Sequence, residues 1–157
     1  MDKAREQGAK ILTGGRAATS EDTNGQHGTG TTDLGAGIYY LPTIIDGATR
    51  EMDCVHDEAF GPTVTIETFT TEEKAIAIAN DTEYGLAGAV YTSDAGRAER
   101  VARALRHGTI WINDFHPYLP QAEWGGFKQS GNGRELGPTG LAEYQEHKHV
   151  YQNLSPA

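Results

Sequence analysis

The chain has 157 residues, a formal net charge of −9 and a single cysteine. This length fits one domain of ordinary size, and the negative charge argues against general binding of nucleic acid, whose phosphates attract basic proteins. One cysteine excludes an internal disulfide framework, so a cytoplasmic setting is the simplest expectation. No apolar run approaches the roughly 18–20 residues that a membrane helix needs.

The N-terminal part of the chain predicts short elements separated by a polar loop. Residues 2–8 are typical of the end of a helix closed by glycine, and residues 10–15 of a short strand stopped by paired glycines. Residues 16–37 hold almost no large apolar side chain, which is typical of a flexible surface loop rich in glycine and threonine. Residues 38–45 predict a second strand, in which Pro42 restricts the end to a sheet edge or a bend.

The middle of the chain alternates between strand and helix patterns. The predicted strands are residues 63–69, 86–91 and 109–113, and the predicted helices are residues 71–80 and 93–105. Such an alternation indicates βαβ units, and therefore an α/β fold with a largely parallel sheet. In these sheets ligands bind beyond the carboxyl ends of the strands, where Asn113 and the loop after it are expected.

The C-terminal residues 144–151 alternate between apolar and polar side chains, as a strand does, without a helix before them to cover it. A final exposed strand needs an edge to pair with, which another subunit can supply. His147 and His149 would face one side of such a strand and suggest a metal site. No third ligand lies nearby in the sequence, so a solvated strand face is the better interpretation.

Aromatic and glycine residues are concentrated after the strand 109–113. Phe115, His116, Tyr118 and Trp124 could form an aromatic cage that attracts a quaternary ammonium group by cation–π interaction. From the residues alone, the simpler alternative is favoured: the rings cover the end of the sheet. Residues 121–137 contain five glycines, which no regular element needs. They indicate a shaped loop that forms one wall of a cleft.

Five stretches together resemble the aldehyde dehydrogenases: residues 8–15, 58–62, 79–86, 111–118 and 124–137. The last stretch resembles the family pattern G-G-x-K-x-S-G-x-G-R-E-x-G, and the fourth is similar to the glycine betaine aldehyde dehydrogenase branch. The resemblance implies an NAD(P)-dependent enzyme whose full form oxidises betaine aldehyde to glycine betaine. Two alternatives stay open. One is an enzyme for another aminoaldehyde or semialdehyde, and the other is a non-catalytic truncated product that pairs with full-length subunits through residues 144–151.

The same resemblance assigns roles to five residues of this chain. Glu58 would accept hydrogen bonds from the hydroxyls of the nicotinamide ribose, and Phe60 would pack beside that ribose. Trp124 would contribute to a box for the trimethylammonium group, and Tyr118 would line the same substrate tunnel. Asn113 would support the loop that carries the active-site cysteine, which is a structural role.

Two further positions resemble residues with backbone ligands, and one departs from the family pattern. The carbonyls of Lys128 and Gly131 match positions that help to bind potassium between subunits in some betaine aldehyde dehydrogenases. Glu123 replaces the usual proline beside the supposed aromatic box. Its negative charge would either attract a cationic substrate or distort the loop.

The catalytic parts of the family have no counterpart in the sequence, namely the Rossmann-like NAD domain, the catalytic glutamate and the catalytic cysteine. Cys54 lies outside the family's G-Q-x-C context, and its acidic neighbours disfavour a thiolate. On an extended segment, the side chain of His56 would lie on the same side as that of Cys54, so a pair is conceivable. A half-buried apolar role for Cys54 is the better interpretation. We therefore expect residues 1–140 to be part of a catalytic domain, residues 141–157 to be an oligomerisation strand and tail, and the chain alone to be inactive.

Overall fold

A computed structural model describes residues 1–22 and 33–155 of the chain. It divides into two compact units, Met1–Thr68 and Phe69–Ala157, which we call unit 1 and unit 2. Residues 23–32 of the predicted polar loop lie outside the described residues. Within the described ranges, no helix combines the length and the apolar character that a bilayer crossing requires.

Unit 1 packs two short helices on a three-stranded sheet. Its elements are α1 (Asp2–Glu6), β1 (Lys10–Thr13), a 3-10 turn (Leu34–Ala36), β2 (Thr43–Asp46), α2 (Asp53–His56) and β3 (Thr63–Ile66). The strand order is β1-β2-β3, with β1 antiparallel and β3 parallel to β2. A small apolar core lies between the helices and the sheet and contains Ala4, Ala9, Ile45 and Met52.

The second predicted strand is shorter in the structure than the interval 38–45. It begins at Thr43, because Pro42 has no backbone N–H to donate to a ladder, and Tyr40 forms only an isolated bridge with Ala17. The Thr43 side chain is almost fully buried. Its hydroxyl accepts a hydrogen bond from the Gly15 N–H at 2.7 Å and donates one to the Leu41 carbonyl at 2.7 Å. These two hydrogen bonds fix the start of β2.

Unit 2 contains the βαβ segment that the sequence predicts. Its elements are α3 (Glu72–Asn80), β4 (Tyr84–Gly85), β5 (Ala87–Val90), α4 (Ala95–Ala104), β6 (Thr109–Ile112), β7 (Phe127–Lys128) and α5 (Gly137–Ala142). Strands β5 and β6 are parallel, and β4 and β7 are antiparallel. Thr71 and Asp94 cap the two longer helices through their side chains, as expected for N-cap residues. The α/β class is therefore confirmed.

The C-terminal segment differs from the expectation in one respect. A short helix, α5, comes before the tail, and its signal in the sequence was Pro138 in the first turn. Residues 144–151 are exposed, and no strand among the described residues pairs with them. Their pairing with another subunit stays a prediction.

Residues 121–137, which we call the glycine-rich loop, contact the start of β6 directly through their backbone. A Cβ atom on Gly108 would lie 1.7 Å from the carbonyl oxygen of Gly125, so only glycine permits this approach. The Lys128 ammonium donates to the carbonyls of Asn80 and Thr82, both at 2.9 Å, and fastens the loop to the end of α3. The loop that carries Trp124 is thus an integral part of unit 2.

Replacing Gly108 by alanine is expected to lower the free energy of unfolding of unit 2 by about 3 kcal/mol, since the new methyl group must displace backbone rather than a side chain. Urea unfolding followed by tryptophan fluorescence measures this change, because both tryptophans lie in unit 2. Gly96→Ala is the matched control. Its added methyl group would meet side-chain atoms no closer than 3.3 Å. A similar loss in both variants would contradict the explanation.

An ion pair joins the first turn of α3 to α4. Arg100 donates to both oxygens of the Glu72 carboxylate at 3.1 and 3.0 Å, and Arg97 approaches the same group at 3.3 Å. The hydrogen bonds from Arg100 are the largest influence on Glu72 and lower the pKa of its carboxyl below the ordinary value of 4.5. The charged form of Glu72 is therefore favoured in the folded chain.

The stabilisation from Glu72 should consequently depend on pH. Because the folded pKa is lower than the unfolded one, the stabilisation is complete above about pH 4.5 and is lost as the pH falls through the lowered value. The unmodified chain should lose more stability than Glu72→Gln between about pH 5 and pH 3, as measured by urea unfolding at each pH. Glu73→Gln, the exposed neighbour, should follow the unmodified chain, and parallel curves for all three proteins would contradict this.

Candidate functional site

Five aromatic rings in unit 2 form one connected group, which we call the aromatic cluster. Trp111 belongs to β6 and is buried, and the other four rings follow on the loop after that strand. The contacting rings have centroid separations of 5.5 to 5.8 Å, which is ordinary for aromatic pairs. The members are Trp111, Phe115, His116, Tyr118 and Trp124.

Trp124 lies at the centre of the cluster. It stacks on Trp111 with an interplanar angle of 29° and on His116 with an angle of 18°. Tyr118 meets it edge-on, at 5.5 Å and 71°. The two substrate contacts that the sequence suggested, Trp124 and Tyr118, are therefore brought together. Trp111 was not singled out from the sequence, because a tryptophan in a strand is ordinarily a core residue.

The backbone of Trp124 is held by Glu135. Trp124 N–H donates to the Glu135 carbonyl at 2.8 Å, and Glu135 N–H donates to the Trp124 carbonyl at 2.7 Å. The Glu135 carboxylate also accepts a hydrogen bond from the Tyr118 hydroxyl at 3.2 Å. Loss of solvation and then this hydrogen bond raise the pKa of the Tyr118 phenol, so the phenol stays protonated as a donor.

A cavity of about 180 Å³ opens beside the cluster, and Trp111, Tyr118 and Trp124 form its aromatic wall. Glu123 contributes the one carboxylate among its lining residues in the described part of the chain. A second, more open cavity of about 350 Å³ lies along the glycine-rich loop, and Trp124 and Glu135 both line it. The cluster therefore combines aromatic faces with negative charge.

Glu123 stands where the family usually has proline, and its charge would either attract a cationic substrate or distort the loop. Its contacts bear on both effects. Its carboxylate accepts a hydrogen bond from the Thr139 hydroxyl at 3.2 Å and packs against Gly137 at the start of α5. Its own backbone N–H, followed by Thr139, lowers the pKa of the Glu123 carboxyl. The charge is thus anchored at the cavity wall, and the stacking of Trp124 on its neighbours is intact beside it.

Asn113 joins the start of the loop that follows β6 to the end of β5. Its side-chain oxygen accepts a hydrogen bond from Thr92 N–H at 2.8 Å, and its side-chain nitrogen donates to the Thr92 carbonyl at 2.9 Å. Asn113 has a φ of +53°, a conformation that asparagine tolerates better than most residues. These contacts suit a structural role, while the predicted support of a cysteine loop stays a prediction.

Glu58 and Phe60 belong to unit 1, in the turn between α2 and β3. Both are exposed, Phe60 to 92%, and no hydrogen bond or ion pair of the described residues engages the Glu58 carboxylate. Phe60 has a φ of +47°, which costs about 1 kcal/mol for a bulky side chain. A free carboxylate can accept hydrogen bonds from both hydroxyls of a vicinal diol, and binding of the nicotinamide ribose by this turn stays a prediction.

The predicted potassium ligands lie in an irregular part of unit 2. Lys128 has a φ of +54° and Gly131 a φ of +134°, while the Lys128 side chain is engaged with carbonyls at the end of α3. Potassium binding by their carbonyls stays a prediction. Across residues 1–22 and 33–155, no group of three or more His, Cys, Asp or Glu side chains is placed to hold a metal ion.

Cys54 lies on α2, not on an extended segment. Residues two apart on a helix do not face each other, so the alternative of a pair with His56 is wrong. Cys54 is partly buried and packs against the core of unit 1. Its predicted role as a half-buried apolar residue is confirmed.

Comparison with known proteins gives consistent results. The aldehyde dehydrogenase family model matches residues 1–150. A betaine aldehyde dehydrogenase of Bacillus subtilis (strain 168) is 54% identical over 97% of this chain, and a peroxisomal aminoaldehyde dehydrogenase of Pisum sativum is 45% identical over 99%. The crystal structure of a Staphylococcus aureus betaine aldehyde dehydrogenase in complex with NAD+ covers 100% of the chain at a TM-score of 0.89 and 50% identity.

These relatives are much longer than the chain, which spans 29% of the Bacillus protein, 28% of the Pisum protein and 29% of the Staphylococcus chain. The match nevertheless includes both sequence and fold, and it extends over almost every residue of this chain. The chain belongs to the aldehyde dehydrogenase family.

Proposed function

We propose that the protein containing this chain is an NAD(P)-dependent aldehyde dehydrogenase that oxidises betaine aldehyde to glycine betaine. The observation that carries this proposal is the aromatic cluster around Trp124, with two carboxylates at its edge. The names of the relatives, several of which are betaine aldehyde dehydrogenases, support the same substrate.

The proposed substrate contacts follow from the chemistry of a trimethylammonium group. Such a group carries a charge but no N–H donor, so it binds best to aromatic faces, at about 0.5–2 kcal/mol for each well-placed ring. Trp124 and Tyr118 offer two rings inclined at 71° to each other beside a largely apolar cavity. Glu123 and Glu135 add negative charge, which attracts the cation over a longer range.

The proposed contacts with the cofactor are made by Glu58 and Phe60. In the proposed enzyme, bound NAD(P) supplies the acceptor for the hydride that leaves the aldehyde carbon. The Glu58 carboxylate would hold the hydroxyls of the nicotinamide ribose, and the exposed Phe60 ring would pack against that sugar. The strained backbone at Phe60 fits this role, because it presents the ring outward from the turn.

The nucleophile of the reaction is not assigned to this chain. Cys54 packs against the core of unit 1 on a short helix, which suits an apolar rather than a nucleophilic role. We infer that residues 1–157 supply contacts to the substrate and the cofactor and are inactive alone. Pairing of subunits through residues 144–151 and a cytoplasmic location are part of the same proposal.

A second candidate substrate is an aminoaldehyde with a primary ammonium group. The two Pisum sativum relatives are named aminoaldehyde dehydrogenases. A primary ammonium donates hydrogen bonds, and the exposed carboxylates of Glu123 and Glu135 can accept them. The two candidates therefore differ in whether rings or carboxylates dominate recognition.

In the full-length protein that carries this stretch, Trp124→Ala is expected to lower kcat/KM for betaine aldehyde about tenfold more than for 3,3-dimethylbutanal, its neutral isostere. Steady-state kinetics on both aldehydes measure the ratio. The matched control is Phe127→Ala, which removes an aromatic ring in β7 that lies outside the aromatic cluster.

Each outcome of this experiment has a distinct meaning. Equal losses on both aldehydes, or no loss, would contradict the proposed quaternary ammonium site. If the unmodified enzyme has a higher kcat/KM for 3-aminopropanal than for betaine aldehyde, and Trp124→Ala leaves that value unchanged, the second candidate is favoured. A tenfold selective loss with Trp124→Ala, but not with Phe127→Ala, would support the oxidation of betaine aldehyde.

A further inference from the structure

Glu135 lies where the two proposed substrate contacts meet. Two backbone hydrogen bonds, at 2.8 and 2.7 Å, join it to Trp124. Its carboxylate accepts the hydroxyl of Tyr118 at 3.2 Å. One residue thus holds Trp124 through the main chain and Tyr118 through the side chain.

We propose that Glu135 is a positioning residue that fixes Tyr118 edge-on against Trp124 and thereby gives the aromatic cluster its preference for a cation over a neutral group of the same shape. This inference rests on the proposed function, since it assumes that the two rings contact the substrate. It goes further by assigning the orientation of those rings, and part of their charge selectivity, to a residue outside the cluster.

Orientation matters because Tyr118 is exposed to 50% and lies on an irregular loop. An exposed tyrosine ordinarily samples several rotamers, and ordering it for a ligand costs entropy at the moment of binding. The hydrogen bond to Glu135 and the contact with Trp124 restrict the ring before the ligand arrives. Because the Glu135 backbone is itself hydrogen-bonded to Trp124, a single residue sets the relative position of the Tyr118 and Trp124 rings.

Charge matters because a carboxylate acceptor polarises the phenol that donates to it. The electron density of the Tyr118 ring rises when its O–H is bonded to an anion, so the ring face becomes more attractive to a cation. The carboxylate also places a negative charge 3.2 Å from the phenolic oxygen. A neutral isostere gains nothing from either effect.

Neighbouring acids offer a natural comparison. Glu123 is engaged by Thr139 at the start of α5, so it does not replace Glu135 at the phenol. Glu143 lines the same 350 Å³ cavity as Glu135. Within the described ranges, its carboxylate has no hydrogen bond to the cluster, so Glu143→Ala removes a nearby charge without removing the contact.

The first experiment needs no ligand and uses the 157-residue chain. Both tryptophans belong to the cluster, so near-ultraviolet circular dichroism and tryptophan emission report on its geometry. We expect Glu135→Ala and Tyr118→Phe to change the spectrum in the same way, and the double variant to add little more. Glu135→Gln, whose amide oxygen still accepts from the phenol, should restore most of the signal, and far-ultraviolet spectra check that each variant is folded.

The second experiment measures selectivity by quenching of tryptophan fluorescence. The probes are choline and its neutral isostere 3,3-dimethylbutan-1-ol. Glu135→Ala should reduce the preference for choline about fivefold, and Glu135→Gln about twofold, since the amide keeps the geometry but loses the charge. Glu143→Ala should leave the preference unchanged.

The outcomes separate this inference from the proposed function. Unchanged near-ultraviolet spectra and unchanged choline preference in Glu135→Ala would overturn the role of Glu135, while a choline preference in the unmodified chain would still support the proposed substrate. Equal losses of preference in Glu135→Ala and Glu143→Ala would also overturn it, since any nearby charge would then suffice. Equal binding of both probes to the unmodified chain would instead count against the proposed substrate, and the spectral comparison of the variants would still decide whether Glu135 positions the rings.

Discussion

The close approach of Gly108 to the carbonyl of Gly125 is the contact on which the candidate site depends. It brings the glycine-rich loop onto the beginning of β6, where any larger residue would hold the two backbones apart. Once the loop is seated there, Trp124 reaches the buried Trp111 on that strand, and the rest of the cluster gathers around the pair. The binding surface is therefore a consequence of backbone packing rather than of side-chain affinity alone.

Backbone strain is concentrated in unit 2, which holds four of the five strained non-glycine residues of the described chain. The non-glycine residues with positive φ in the described part of the chain are Phe60, Asn113, His116, Lys128 and Leu136. Such conformations persist only where surrounding contacts enforce them, and they are often found at functional sites. Asn113 and Lys128 have those contacts in their hydrogen bonds to Thr92 and to the end of α3. Phe60 is exposed instead, and its contact with a cofactor stays a prediction.

The charge of the chain agrees with a cationic substrate without specifying one. A net charge of −9 attracts cations in general, whereas the anchored carboxylates of Glu123 and Glu135 place charge beside aromatic faces. Electrostatic attraction alone does not distinguish a quaternary from a primary ammonium. The distinction depends on how the rings are presented, which is a matter of geometry.

Periodicity and glycine spacing act locally, so the sequence predicted the α/β class, the two longer helices and the aromatic residues of the loop. The resemblance of five stretches to the aldehyde dehydrogenases indicated the family. The sequence predicted the strand at 38–45 too long and missed α5, since strand limits depend on partners and α5 is short and rich in glycine. Only the tertiary structure joined Trp111 to Trp124 and placed Glu135 between Trp124 and Tyr118. The pairs in contact are 11 to 17 positions apart in the sequence, and no local pattern encodes which residues meet.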